Sequence, residues 1–169
     1  MSLRTALLSW AALVGVLMLP STAAAQSVQV IDEYRDWAAY STSDGTGALC
    51  FAMSKAKSVE PIPDGYTQAY LYLTHRASRN ITNEINLVAG FEFAPDQPAT
   101  LTVGGQEFEL FTQQDAAWLL DPSKSDTLAG AIRAGSTLTI AGTTSRGIRV
   151  EETFSLSGAT AASRAISGC

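Results

Sequence analysis

The sequence is poor in the side chains that carry most hydrolytic and metal chemistry. Its 169 residues include one histidine, two cysteines and three tryptophans, and only 16% are charged. One imidazole cannot supply a multi-histidine metal site, and two cysteines cannot supply a four-thiolate zinc site or a disulfide-dense miniprotein. His75 has no Cys or carboxylate pair at ligand spacing, and no CxxC redox pair is present. No Gly-x-Ser-x-Gly nucleophile elbow occurs, and Gly142-Thr143-Thr144-Ser145-Arg146-Gly147 lacks the terminal Lys-Ser/Thr of a phosphate loop. Positive charge is scarce too. Eleven Lys and Arg stand against 16 Asp and Glu, which disfavours nucleic acid or an anionic membrane surface as a general partner.

Long apolar runs are also missing, with one exception at the start. Arg4 precedes the run Ala6–Leu19, which is followed by Pro20 and Ala23-Ala24-Ala25. A basic start, a short apolar stretch and a small-residue end read as a secretory signal peptide over residues 1–25, cleaved before Gln26. The run is too short to span a bilayer, so no transmembrane segment is expected after cleavage. Residues 26–169 then form one domain, because a chain of about that length buries roughly two-thirds of its unfolded surface in a single core. Export would place Cys50 and Cys169 in an oxidising compartment, where an even count favours one disulfide. Such a bond closes a loop worth roughly 4–5 kcal/mol of chain entropy.

What the chain does have is short segments of period-two alternation separated by Gly, Pro, Asp and Ser. Trp37–Tyr40 and Ala48–Met53 predict a hairpin across Ser43–Gly47, with Lys55–Gly65 an exposed loop because it holds Pro61, Pro63 and Asp64-Gly65. Tyr70–His75 and Glu84–Phe93 read as paired central strands. Leu101–Val103 and Gln106–Phe111 flank Gly104-Gly105, whose glycines supply the positive φ angles of a type I′ turn. Ala116–Leu120 is a short strand stopped by Asp121-Pro122, and Thr137–Gly142 with Ile148–Leu156 form a last hairpin. Two short helices are expected, one over Ser125–Gly135 and one over Ala159–Ile166. Eight or nine such strands predict an antiparallel sandwich or barrel.

Several segments together resemble the invasion-associated locus B family of exported Gram-negative proteins. They are Asp36-Trp37-Ala38-Ala39-Tyr40, Cys50-Phe51-Ala52-Met53-Ser54-Lys55, Tyr72-Leu73-Thr74-His75-Arg76, Phe111-Thr112 with Ala117-Trp118, Ser145-Arg146-Gly147, Thr153–Gly158 and a terminal Cys. The resemblance implies an immunoglobulin-like antiparallel β-sandwich with one or two short helices. It also implies a periplasmic or secreted location and, for some members, a link to host-cell entry. It brings no catalytic residues to map.

The candidate functional residues are correspondingly few. His75 shares the face of Leu71 and Leu73, where a packed or hydrogen-bonded role outweighs that of a catalytic base; hydrolysis is the least favoured reading. Glu107 and Glu109 share a strand face but fall where solvated residues belong, and Glu151 and Glu152 point to opposite faces. Arg76 with Arg79, and Arg146 with Arg149, are exposed positive features most simply balanced by Glu84 and Glu151. Trp37 and Trp118 are either core residues or binding anchors. No cofactor, metal or catalytic set is expected. The leading expectation is a non-enzymatic envelope protein that contacts a protein or envelope component, with Tyr70, Tyr72, Arg76 and Trp118 as candidate interaction residues. The alternative is a small-ligand binding module with a cleft lined by Tyr70, Tyr72 and Arg76.

Overall fold

A computed structural model describes residues 27–43 and 45–169. The expected signal peptide lies outside the described residues. Ten strands are present among those described, in the order β1 (Gln29–Tyr34), β2 (Trp37–Ser43), β3 (Ala48–Glu60), β4 (Tyr70–Arg76), β5 (Ile81–Val88), β6 (Ala99–Val103), β7 (Gln106–Gln113), β8 (Ala116–Leu119), β9 (Thr137–Thr143) and β10 (Arg149–Ser155). Helix α1 (Ser125–Ala134) lies between β8 and β9, and α2 (Ala159–Ser167) follows β10. Short 3-10 turns occupy Ala77–Arg79 and Pro122–Lys124.

The sheet closes on itself. Neighbours run β3-β10-β9-β6-β7-β8-β5-β4, and β4 pairs again with β3, so eight antiparallel strands form a barrel. This corrects the immunoglobulin-like β-sandwich that the resemblance implied. The strand that decides the matter is β3, 13 residues long. Its first part pairs with β4 from Cys50↔His75 to Lys55↔Tyr70, and its last part pairs with β10 from Ala56↔Phe154 to Glu60↔Glu151. The stretch from Lys55 to Glu60, expected as loop, is therefore the seam; the exposed turn begins only at Pro61. A sandwich would leave two open sheets with free edges, whereas closure pairs every one of these eight strands on both sides.

The local expectations fare better than the global one. The β2–β3 hairpin pairs Trp37↔Ser54 through Ser43↔Ala48. Gly104 and Gly105 have φ of 58° and 76° and turn β6 into β7, with Leu101 opposite Phe108. Both helices form where they were expected. The strand read as Glu84–Phe93 is shorter: β5 ends at Val88, Gly90 turns the chain, and Phe91 and Phe93 are buried beyond it with their rings 4.9 Å apart.

Alternation puts one side of each strand into the barrel. Leu71 and Leu73, Ile85 and Leu87, Leu101, Leu110, Leu138, Ile140 and Phe154 are at most 3% exposed. An eight-stranded barrel is just wide enough for such side chains to fill it, so the interior is core rather than channel. At the end where β3 begins, α2 packs on α1 and on β1 through β4, and α1 packs on β5. Leu128, Ile132, Ala159, Ala162 and Ile166 join the barrel core from the helices. Gly158 caps the start of α2 with φ of 98° and lies so close to β1 that a Cβ would meet the Tyr34 carbonyl oxygen at 1.7 Å. No other residue fits there without moving the backbone. Cys169 reaches back to bond Cys50, the two Cα atoms 5.9 Å apart across 119 positions.

Candidate functional site

The outer face of the barrel carries a row of aromatic rings. On β2, β3 and β4 the inward positions are taken by Ala39, Cys50, Ala52, Leu71 and Leu73, so Tyr40, Phe51, Tyr70 and Tyr72 project outward. Tyr40 stacks on Phe51 with centroids 5.1 Å apart; Phe51 lies 6.0 Å from Tyr72, and Tyr72 lies 6.3 Å from Tyr70. Burial among its neighbours, with the Tyr70 and Tyr40 hydroxyls close by, raises the Tyr72 hydroxyl above its ordinary pKa and keeps it neutral. These residues are half-buried, each ring covering another while one side stays accessible.

The row continues through one polar residue. Tyr72 is paired with Asn86 on β5, and Asn86 with Trp118 on β8. The Asn86 side-chain amide donates to the Ala117 carbonyl at 3.2 Å, which fixes the join between β5 and β8. Trp118 is paired in turn with Phe111 on β7, and their rings stack at 5.2 Å with 18° between planes. Phe111 is 43% exposed.

The structure thus brings together three of the four expected interaction residues on one face. Tyr70 and Tyr72 adjoin, and Trp118 follows two strands away, across Asn86 of β5. Arg76 stands at the far end of β4, six residues from Tyr70 or roughly 20 Å at the rise of a strand, past a register shift and opposite Ile81. The surface is the convex outside of a barrel, so Tyr70, Tyr72 and Arg76 do not line the shared cleft that the alternative reading supposed. Tyr40, Phe51 and Phe111 were missed as surface residues. Their signal was present: each is an aromatic in the polar phase of an alternating strand, as Phe111 is beyond inward Phe108 and Leu110. The two tryptophans divide, with Trp37 buried and Trp118 outward.

A cleft of about 560 Å³ opens beside the Trp118–Phe111 pair, bounded by the start of β5, the Pro122–Lys124 turn and the first residues of α1. Glu84 and Asp126 line it together with Asn80, Thr82 and Ser123. Asn83 donates to Asp126 Oδ1 at 2.8 Å, tying β5 to α1 across one side of the cleft. A second cleft of about 490 Å³ lies between the helices and the ends of β4 and β5. It holds His75, Asn83, Arg133 and Arg164 and has no carboxylate in its lining. His75 is half-buried and its backbone pairs with Cys50; among the described residues lining its cleft there is no acid to orient it as a hydrolytic base.

Among the described residues one ionisable side chain is buried with the apolar lining of the barrel. Glu152 on β10 is 1% exposed, opposite Val59 and Ile140, and neither carboxyl oxygen has a hydrogen-bond partner. Burial pushes its pKa up to about 8, and the nearby Tyr66 hydroxyl is raised chiefly by its own burial, with the Glu152 charge adding to it. Glu107 and Glu109 are exposed on β7. Arg146 donates to Asp64 at 3.0 Å on open surface, where such a pair contributes little. Among the described residues no group of three or more His, Cys, Asp or Glu is placed to hold a metal ion, and no helix is long and apolar enough to cross a membrane.

No curated protein and no solved structure matches the chain. The family model described as invasion associated locus B (IalB) protein matches residues 37–167, a span that runs from the first residue of β2 to the last of α2 and takes in the whole barrel and the aromatic row. The chain belongs to the invasion-associated locus B family.

Proposed function

We propose that this chain is an exported envelope protein that works by binding rather than by catalysis, and that it presents the outer aromatic row of its barrel to a partner protein. The observation that carries the reading is the cluster Tyr40, Phe51, Tyr72 and Tyr70, four rings in mutual contact at positions where an outward strand face ordinarily holds polar residues. Half-buried aromatic clusters supply most of the affinity at protein interfaces, because large rigid rings shed water with little loss of side-chain entropy. The Cys50–Cys169 bond supports export, since such bonds persist in oxidising compartments. The apolar barrel interior and the acid-free cleft around His75 support a non-enzymatic role. Family membership is compatible with a part in host association for this binding.

A photo-crosslinking amino acid placed at Phe51, with one at Glu107 on β7 as control, tests this in intact Gram-negative cells producing the full chain. The reading expects the protein in the envelope fraction and a discrete adduct from position 51 that position 107 does not give. The same adducts from both positions, or none from position 51 in oxidised protein, would overturn it.

A further inference from the structure

The cleft beside Trp118 shares Trp118 and Phe111 with the far end of the aromatic row but adds carboxyl and hydroxyl groups that the Tyr40–Tyr70 cluster lacks, and its features converge on one class of ligand. Its floor holds Trp118 and Phe111, whose rings stack on each other 5.2 Å apart on the paired strands β7 and β8. Its walls carry two carboxyl side chains, Glu84 from β5 and Asp126 from α1, and the hydroxyl residues Thr82, Ser123 and Ser125; one Asp126 oxygen also accepts from Asn83 at 2.8 Å. No Lys, Arg or His lines it. At about 560 Å³ it falls within the size range of small-molecule sites, which are apolar pockets with a few fixed polar groups.

We propose that this cleft binds an organic ammonium group, seated against the face of Trp118 and neutralised by Glu84 and Asp126. The indole has the strongest negative face of the aromatic side chains, and a cation within about 6 Å of its centroid is attracted to it. Two carboxylates without a competing cation in the lining supply the charge that a desolvated ammonium needs. The N-terminal dipole of α1 opposes a cation, and Asp126 in its first turn offsets that field. A neutral ligand would gain from the ring but nothing from the two carboxylates, and an anion would be repelled by them. The ammonium could arrive on a free small amine or on a lysine side chain, whose chemistry is the same; the site borders the docking row at Trp118 and Phe111 but does not use the Tyr40, Phe51, Tyr72 and Tyr70 cluster that carries that reading.

Nuclear magnetic resonance of the Trp118 indole N–H in the oxidised, exported chain reads the site directly. Titrations with choline, with its neutral isostere 3,3-dimethyl-1-butanol and with N-acetyl-lysinamide separate charge from shape and one amine source from the other. The expected result is saturable shifting by choline, by N-acetyl-lysinamide or by both, with the neutral isostere at least tenfold weaker. Substituting Glu84→Gln together with Asp126→Asn leaves the shape of the cleft and should weaken the cations at least tenfold while the melting temperature stays close to the parent's. Equal binding of the isostere, no saturable shift with either cation, or cation binding unchanged in the double variant would each overturn the proposal.

Discussion

The Trp37 indole Nε1–H donates to the Ser155 carbonyl at 2.9 Å, across 118 positions of chain. The bond bridges β2 and β10, which follow one another along the same edge of β3: β2 ends its pairing at Ser54, and β10 begins at Ala56. Trp37 is 2% exposed, so the ring packs into the core while its one polar side-chain atom is satisfied by this bond. Ser54 seals the same corner, its hydroxyl donating to the Asp36 carbonyl at 2.8 Å.

Substituting Trp37→Phe keeps most of the apolar contact but leaves the Ser155 carbonyl without this donor. It should lower unfolding free energy by about 1–3 kcal/mol, and Trp37→Ala by about 3–5 kcal/mol. Urea denaturation of the oxidised protein measures both. A Trp37→Phe variant as stable as the parent would mean that the bond across the β2–β10 junction contributes nothing.

The Cys50–Cys169 bond ties Cys169, just after α2, to the third residue of β3. Its removal, by reduction or by a double Cys→Ala change, should reduce stability by about 2–5 kcal/mol, chiefly by freeing the unfolded chain. The loss should be felt first in α2, whose backbone amides would exchange faster than those of the barrel strands in hydrogen-exchange mass spectrometry. Non-reducing peptide mapping of protein recovered from the cell envelope should yield the linked Cys50–Cys169 peptide.

Glu152 makes stability depend on pH in a direction opposite to that of a salt-bridged acid. Its carboxyl is protonated in the fold up to about pH 8 but ionises near 4.5 when unfolded. The contribution is therefore fully present below pH 4.5, declines through the window up to about 8, and by then has fallen by about 3–5 kcal/mol. Glu152→Gln carries no charge in either state. Its stability measured from pH 5 to pH 8 should stay flatter than the parent's, with the difference between the two growing as pH rises; parallel curves would show that Glu152 does not ionise with an altered pKa.

Much of the local structure was legible in the residues. Gly104-Gly105 announced its hairpin because only positive φ angles close a two-residue turn of that kind, and the β2–β3 hairpin and both helices carried comparable signals. The pairing of Cys50 with Cys169 followed from their number and from the export reading. The stretch Lys55–Glu60 reads as loop, and the strand pattern leaves sandwich and barrel open, so only the closure through β3 corrects the sandwich that the resemblance implied. Lys55, Lys57, Ser58 and Glu60 are interrupted only by Ala56 and Val59, and two prolines and an Asp-Gly follow, so nothing local distinguishes the stretch from a loop. It is a strand because β10, almost a hundred residues later, pairs with it. The candidate site divides in the same way: Tyr70, Tyr72 and Trp118 were visible one by one, while their alignment through Asn86 depends on the register of three strands.

By itself the sequence determined the alternation that decides which face of each strand is apolar, the turns that make neighbours antiparallel, and the two cysteines available to staple the end. These are local properties, set by backbone stereochemistry and the spacing of apolar side chains. Only the tertiary structure decided that the sheet closes through β3, that Glu152 is sealed inside it, and that Trp118 and Phe111 floor a cleft with Glu84 and Asp126. Closure is a bargain between strands distant in sequence, where the gain from pairing both edges and filling one interior outweighs the entropy of bringing them together.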